Sequence, residues 1–226
     1  MAYLKNAFYL TFIVDDRWKF FVEGFFMTLL LTISSFVFGS IIGALVCLLR
    51  FSKMKKITKI VEIINGFFVQ LPTLVFLMIM VYLVFGNSSL SVIVIAIIGL
   101  SLKAASYLSD IFYAAISATD KGEAEAARSL GMSKFQSFLY VTLPQAVNNS
   151  IGVYKNQFIT TLQETSVVST LAIQELTKAS NIVTSRTLNA LFCLICISIL
   201  YILIGYIGNV IIDKIGCSKH LGDDRQ

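Results

Sequence analysis

Apolar residues run in long blocks along this chain, and the polar residues collect between them. No Asp, Glu, Lys or Arg occurs from Gly24 to Leu49, from Asn65 to Leu102, or from Thr187 to Ile212. A helix rising about 1.5 Å per residue needs roughly 20 residues to cross the ~30 Å hydrocarbon core, so each block is long enough to span a bilayer. The middle block contains the turn-forming cluster Gly86-Asn87-Ser88-Ser89 and divides there into two spans, 66–85 and 90–118. The outer blocks give spans over 21–49 and 188–212. A fifth span is expected over 144–166, although Lys155, Asn156, Gln157 and Glu164 interrupt its apolar pattern. Polar residues inside a membrane bundle face a cavity or a partner, so they do not exclude a span. The predicted fold class is all-α: a polytopic membrane protein of five transmembrane helices, one transmembrane domain over 1–226. The first block is too long for a signal peptide and is expected to remain as a span.

Shorter patterns lie between the blocks. Met54, Ile57, Ile60, Val61 and Ile64 recur at intervals of three and four with lysines interspersed, which predicts an amphipathic helix at the membrane interface ahead of the second span. Gly39 and Gly43 form a small-xxx-small pair suited to close helix packing. Segment 120–143 differs from everything around it. Asp120 can cap a helix start with Glu123 three residues on, Gly131 suits a left-handed stop, and Ser133 with Gln136 repeats the capping-box spacing. The second helix is expected to end at Leu143-Pro144, with Pro144 opening the fourth span. The segment therefore reads as a pair of short, capped helices built to be held by something.

Composition and charge sharpen this picture. Of 226 residues, 57% are apolar and 14% charged, against about 45–50% and about 25% in soluble domains. A water-soluble domain is excluded. Arg50, Lys53, Lys55, Lys56, Lys59, Lys121, Arg128, Lys134, Lys214, Lys219 and Arg225 fall on one side of the predicted spans; only Lys5, Arg17, Lys19, Lys178 and Arg186 fall on the other. The basic side is expected in the cytoplasm, with the N-terminus outside and the C-terminus inside. The net charge of +5 is thus a topology signal, and no nucleic-acid partner is expected. Cys193 and Cys196 have the spacing of a redox pair, but their neighbours are apolar and supply no electropositive, exposed site. The single histidine, His220, cannot assemble a His-based catalytic or zinc site.

Ionisable groups at bilayer depth cost about 2.5–3.5 kcal/mol each on insertion scales and are therefore functional candidates. Lys103, Asp110 and Glu164 qualify. A free amino acid presents an ammonium and a carboxylate: Glu164 could accept the first, Lys103 could meet the second, and Gln157, Thr161 and Thr165 could orient the rest. Internal pairing of Lys103 with Asp110 or Glu164 is the alternative. Such pairing would also suit an ion-coupled secondary transporter or channel in which the three groups form a relay. An intramembrane enzyme is disfavoured by the lack of a His pair or a buried acid dyad at helical spacing.

Glu125-Ala126-Ala127, Gly131, Val141 and Leu143-Pro144 have the spacing of the EAA loop of ABC importer permeases. Gly24 to Thr32, Gln70-Leu-Pro72-Thr73, Asn156 to Ile159 and Glu164-Thr-Ser166 extend the resemblance to the polar amino acid branch, over about residues 20 to 215. The resemblance implies a type I importer fold, a dimer with a second permease subunit (the same chain or a sister), two cytoplasmic ABC ATPases and an extracytoplasmic substrate-binding protein. It makes Glu125, Ala126, Ala127, Gly131 and Pro144 the element that couples to the ATPase. ATP and Mg would sit on that partner, in keeping with the absence of a Gly-x4-Gly-Lys-Ser/Thr loop here, and no cofactor is expected in this chain. The setting implied is a bacterial cytoplasmic membrane. The chain departs from the branch at Gln70-Leu71, where Arg-Gly is common, and at Lys103, Tyr113 and Gln163. Gaining Lys103 suggests a ligand with an extra carboxylate, such as an acidic amino acid or cystine.

Overall fold

The computed structural model describes residues 7–52 and 54–217, without the side chains of 215–217. Lys5, Lys53, Lys219, His220 and Arg225 lie outside the described residues, as does the Cys217 side chain. Every regular element among the described residues is helical. After short turns at Tyr9–Ile13 and Val14–Asp16 come α1 (Trp18–Arg50), α2 (Lys55–Gln70) and α3 (Thr73–Ile79), which continues through a π turn at Met80–Val84. Next are α4 (Val92–Ser117), α5 (Lys121–Ser129) and α6 (Lys134–Ser137), then a π turn at Phe138–Thr142 that leads into α7 (Leu143–Glu164). A 3-10 stretch at Thr165–Leu171 precedes α8 (Leu176–Thr187) and α9 (Ala190–Cys217).

The core is organised on α1 and α4. A Cβ on Gly39 would lie 2.7 Å from Ala104 Cβ, and one on Gly43 would lie 2.9 Å from the Ala105 carbonyl. The two glycines therefore let the helices touch backbone to side chain, as their spacing predicts. Around this seam, Leu31, Leu77, Leu100 and Val168 join α1, α3, α4 and the 3-10 stretch, while Phe36, Leu108 and Phe158 join α1, α4 and α7.

By length and composition α1, α4 and α9 can each cross a membrane. The second span expected over 66–85 is broken instead: α2 and α3 meet at 107°. Pro72 supplies no N–H and disfavours helical backbone at the residue before it, so Leu71 turns to extended geometry (φ −69°, ψ 131°). The predicted amphipathic interface helix and the first part of that span are one continuous helix up to Gln70. α7 forms where the fourth span is expected and packs on α4 and α9, though its polar side chains keep it below the apolarity of the other three.

The 3-10 stretch and α8 are additions that spacing of apolar blocks did not reveal. Glu175 caps α8, its carboxylate accepting from the Thr177 and Lys178 N–H groups (both 2.7 Å) and the Tyr201 hydroxyl (2.9 Å). Buried Leu176, Ala179 and Val183 then seat α8 inward, with Gly24 of α1 against the Glu175 backbone at 3.0 Å from its notional Cβ. That three-and-four spacing after an acidic cap was a usable signal.

Candidate functional site

The α5–α6 pair is a stapled hairpin. Asp120 Oδ1 accepts from the Gly122 N–H at 2.8 Å. The expected capping box with Glu123 does not form, because Glu123 accepts a hydrogen bond from Gln145 Nε2 in the first turn of α7 and so ties the hairpin to that helix. α5 ends in a Schellman motif: the Met132 N–H donates to Ala127 O (3.2 Å), the Gly131 N–H donates to Arg128 O (3.0 Å), and Gly131 takes φ +97°. Ser133 and Gln136 form the predicted capping box. The Ser137 hydroxyl donates to Ala124 O at 2.9 Å and locks the two helices together.

Pro144 does not end the second helix. The π turn at Phe138–Thr142, closed by the Leu143 N–H donating to Phe138 O, widens the helix where Pro144 has no N–H to give. The chain thus passes from α6 into α7 without a break. Of the expected coupling residues, Glu125, Ala126, Gly131 and Pro144 are exposed, whereas Ala127 is buried beneath the hairpin. Sequence reasoning missed the apolar groups around them: Leu130 is 86% exposed, Phe135 71% and Tyr140 66%. Exposed side chains of this size on an otherwise polar hairpin suit burial against a partner.

The membrane-depth candidates separate into two clusters. Asp110 pairs with Arg50 Nη1 at 2.5 Å and accepts from Asn65 Nδ2 at 3.0 Å, while Arg50 stacks on Tyr113 at 4.2 Å. It does not meet Lys103, because two helical turns set the residues about 10 Å apart along the axis. Lys103 is 2% exposed. Its ammonium donates to the carbonyls of Phe68 (2.8 Å), Val69 (3.2 Å) and Leu71 at the end of α2. Glu164 Oε1 accepts from the Thr73 hydroxyl at 2.8 Å at the start of α3, and its Oε2 is buried without a hydrogen-bond partner. No continuous relay connects the three groups.

Gln157, Thr161 and Thr165 are buried: within α7 Thr161 donates to Gln157 O (2.9 Å), and Thr165, just past its end, donates back to Leu162 O (2.7 Å). The opposite face of α7 carries Asn149, Gly152, Asn156 and Gln163, all exposed on this single chain, and nothing lies within 4 Å of a Cβ on Gly152. A polar stripe on a helix at bilayer depth is costly against lipid. A groove of 660 Å³ between α1, α4, α7 and α9 is apolar, lined by residues such as Phe36, Phe112, Tyr154, Phe158 and Gly208, and includes none of the six substrate candidates.

A family model described as binding-protein-dependent transport system inner membrane component matches residues 35–216. The probable amino-acid permease protein YxeN of Bacillus subtilis (strain 168) is 33% identical over 207 residues, which cover 87% of this chain and 92% of that protein. The putative glutamine transport system permease protein GlnP of Rickettsia bellii (strain RML369-C) is 31% identical, covering 87% and 93%. The crystal structure of an amino acid ABC transporter with histidines contains a chain of similar fold, with a TM-score of 0.78 and 28% identity, covering 88% of this chain and 93% of that one.

Proposed function

Since the chain belongs to the family of binding-protein-dependent transport system inner membrane components, we propose that it is the membrane-spanning subunit of an ATP-driven importer of a polar amino acid. The observation that carries this reading is the stapled α5–α6 hairpin continuous with α7, which offers exposed Leu130, Phe135 and Tyr140 beside Glu125 and Ala126. A cytoplasmic ATPase that grips this surface moves a transmembrane helix without any flexible link between them. ATP and Mg belong to that partner. A substrate-binding protein delivers the ligand on the other side, where the N-terminus lies, and the two partners bias a bundle with two arrangements. An ion-coupled transporter would leave the hairpin without a role and has no relay to run on.

The α7 stripe supports a second permease subunit, identical or a sister chain. At that interface Asn149, Asn156 and Gln163 escape lipid: the second subunit packs on the stripe at Gly152, and the polar side chains on either side of the contact border a passage for a polar solute. Glu164 is the substrate contact favoured by the geometry, because its Oε2 is a buried acceptor with no hydrogen-bond partner among the described residues and an amino acid's ammonium would complete it. Gln157, Thr161 and Thr165 act behind the passage wall, holding α7 in place. Amino-acid permeases among the relatives support the substrate class.

The test is ATP-driven uptake of radiolabelled amino acids by the chain reconstituted with its ATPase and binding protein. Glu125→Lys and Gly131→Pro should abolish both uptake and ATPase co-purification while the chain still reaches the membrane. Full uptake and attachment in both variants would refute the reading.

A further inference from the structure

Pro72 leaves a gap in the backbone bonding of a helix at bilayer depth. The Phe68 carbonyl would be met by the N–H of residue 72, which proline lacks, and the extended backbone at Leu71 and Pro72 carries the following donors away. Orphan carbonyls at a helix end require other partners. Here the partner comes from a different span. The three N–H groups of the Lys103 ammonium on α4 meet the carbonyls of Phe68, Val69 and Leu71. Tyr107, one turn further, donates its hydroxyl to Val69 O at 3.3 Å, and its ring lies 5.4 Å from Nζ. The carbonyl end of α2 is also the negative end of its dipole, which favours a cation. Across the break, the positive end of α3 begins at Thr73, where the Glu164 carboxylate from α7 is bonded. Opposite charges from two spans therefore bracket one elbow.

We infer that Lys103 is a positioning residue for transport: its ammonium is a tethered cation in a cage of backbone carbonyls that fixes the angle between α2 and α3, and with it the placement of Thr73 against Glu164. With its donors committed to the cage, Lys103 offers none to a ligand carboxylate, so a preference for acidic over neutral amino acids does not arise from it. The transport half of this statement rests on the importer reading; the structural half does not.

The test uses the full chain in lipid nanodiscs on a cysteine-free background, with spin labels at exposed Ile63 of α2 and Leu83 of the π turn that continues α3. Lys103→Ala should broaden the distance distribution between the labels, and n-propylammonium, which replaces the deleted part of the side chain, should narrow it again. In the complete transporter the same variant should lose about tenfold or more of its uptake rate, the effect of stranding buried carbonyls, and recover with the amine. KM values for acidic and neutral amino acids should change by the same factor. If Lys103→Ala accumulates poorly, Lys103→Arg should keep the narrow distribution and Lys103→Met should lose it. A distribution as narrow as the parent's in Lys103→Ala or Lys103→Met would overturn the inference. So would a KM change confined to acidic ligands. Because the distances need no ATPase, a parent protein that imports nothing would sink the importer reading alone.

Discussion

Gly152 offers a test whose sign depends on what covers α7. It lies inside a helix, where glycine is about 1 kcal/mol less favourable than alanine, and a Cβ there meets nothing within 4 Å in the single chain. In an isolated subunit, Gly152→Ala should therefore raise stability by about that amount, and Gly152→Leu should be tolerated on a surface that contacts only lipid. If a second permease subunit packs on this stripe, the added leucine atoms must be cleared at the interface at about 1–3 kcal/mol. In a symmetric pair the lower figure is incurred twice, about 2 kcal/mol, or roughly 30-fold in the dissociation constant. With a sister chain it is incurred once, roughly fivefold. Light scattering across a dilution series in detergent gives the dissociation constant, and denaturant titration of the separated subunit gives the stability. If Gly152→Leu raises subunit stability and leaves the dissociation constant at the parental value, the open face is not an interface, and the second subunit does not pack where the polar stripe argues it should.

Other substitutions test the remaining joints. Gly43→Leu should lower Tm in thermal unfolding by destabilising the chain about 1–3 kcal/mol, because its Cβ would press on the backbone of α4; Gly66→Ala, whose Cβ meets only the Gln70 side chain at 3.8 Å, should not. At Gly131 (φ +97°), alanine should cost about 1–2 kcal/mol of backbone strain and reduce ATP-driven uptake with chain levels unchanged; wild-type uptake would mean that the turn is not held in that geometry. A double-mutant cycle on Arg50→Gln and Asp110→Asn should return a coupling of about 1 kcal/mol, as expected for a partly exposed pair, and a coupling of zero would show that Asp110 does not anchor α1 to α4. Phe135→Ser should release the ATPase in co-purification without altering chain stability, since the ring is exposed.

Hydropathy along the chain was sufficient for the all-helical membrane class and for α1, α4 and α9, because a span of lipid-facing residues is a local property of composition. The Gly39–Gly43 seam and the Ser133–Gln136 capping box were legible for the same reason: their chemistry acts over one or two turns. Glu125, Ala126, Ala127, Gly131 and Pro144 were singled out by the resemblance to an EAA loop, while nothing in the sequence marked Leu130, Phe135 and Tyr140 as exposed among ordinary apolar positions. Which face of α7 is open could not be read either. Gln157, Thr161 and Thr165 suited a solute by residue type, and only the packing of α4 and α9 on that side buries them and leaves Asn149, Asn156 and Gln163 exposed. The fate of Lys103 was least accessible of all. A lone lysine in a span carries no mark of its partner, and the carbonyls that hold it are more than thirty residues away in sequence, freed at the break that Pro72 makes between α2 and α3. Local sequence determines where helices form and which groups carry charge; which of those groups are already satisfied is decided when distant segments meet, since desolvated donors and acceptors must pair with whatever the fold brings within reach.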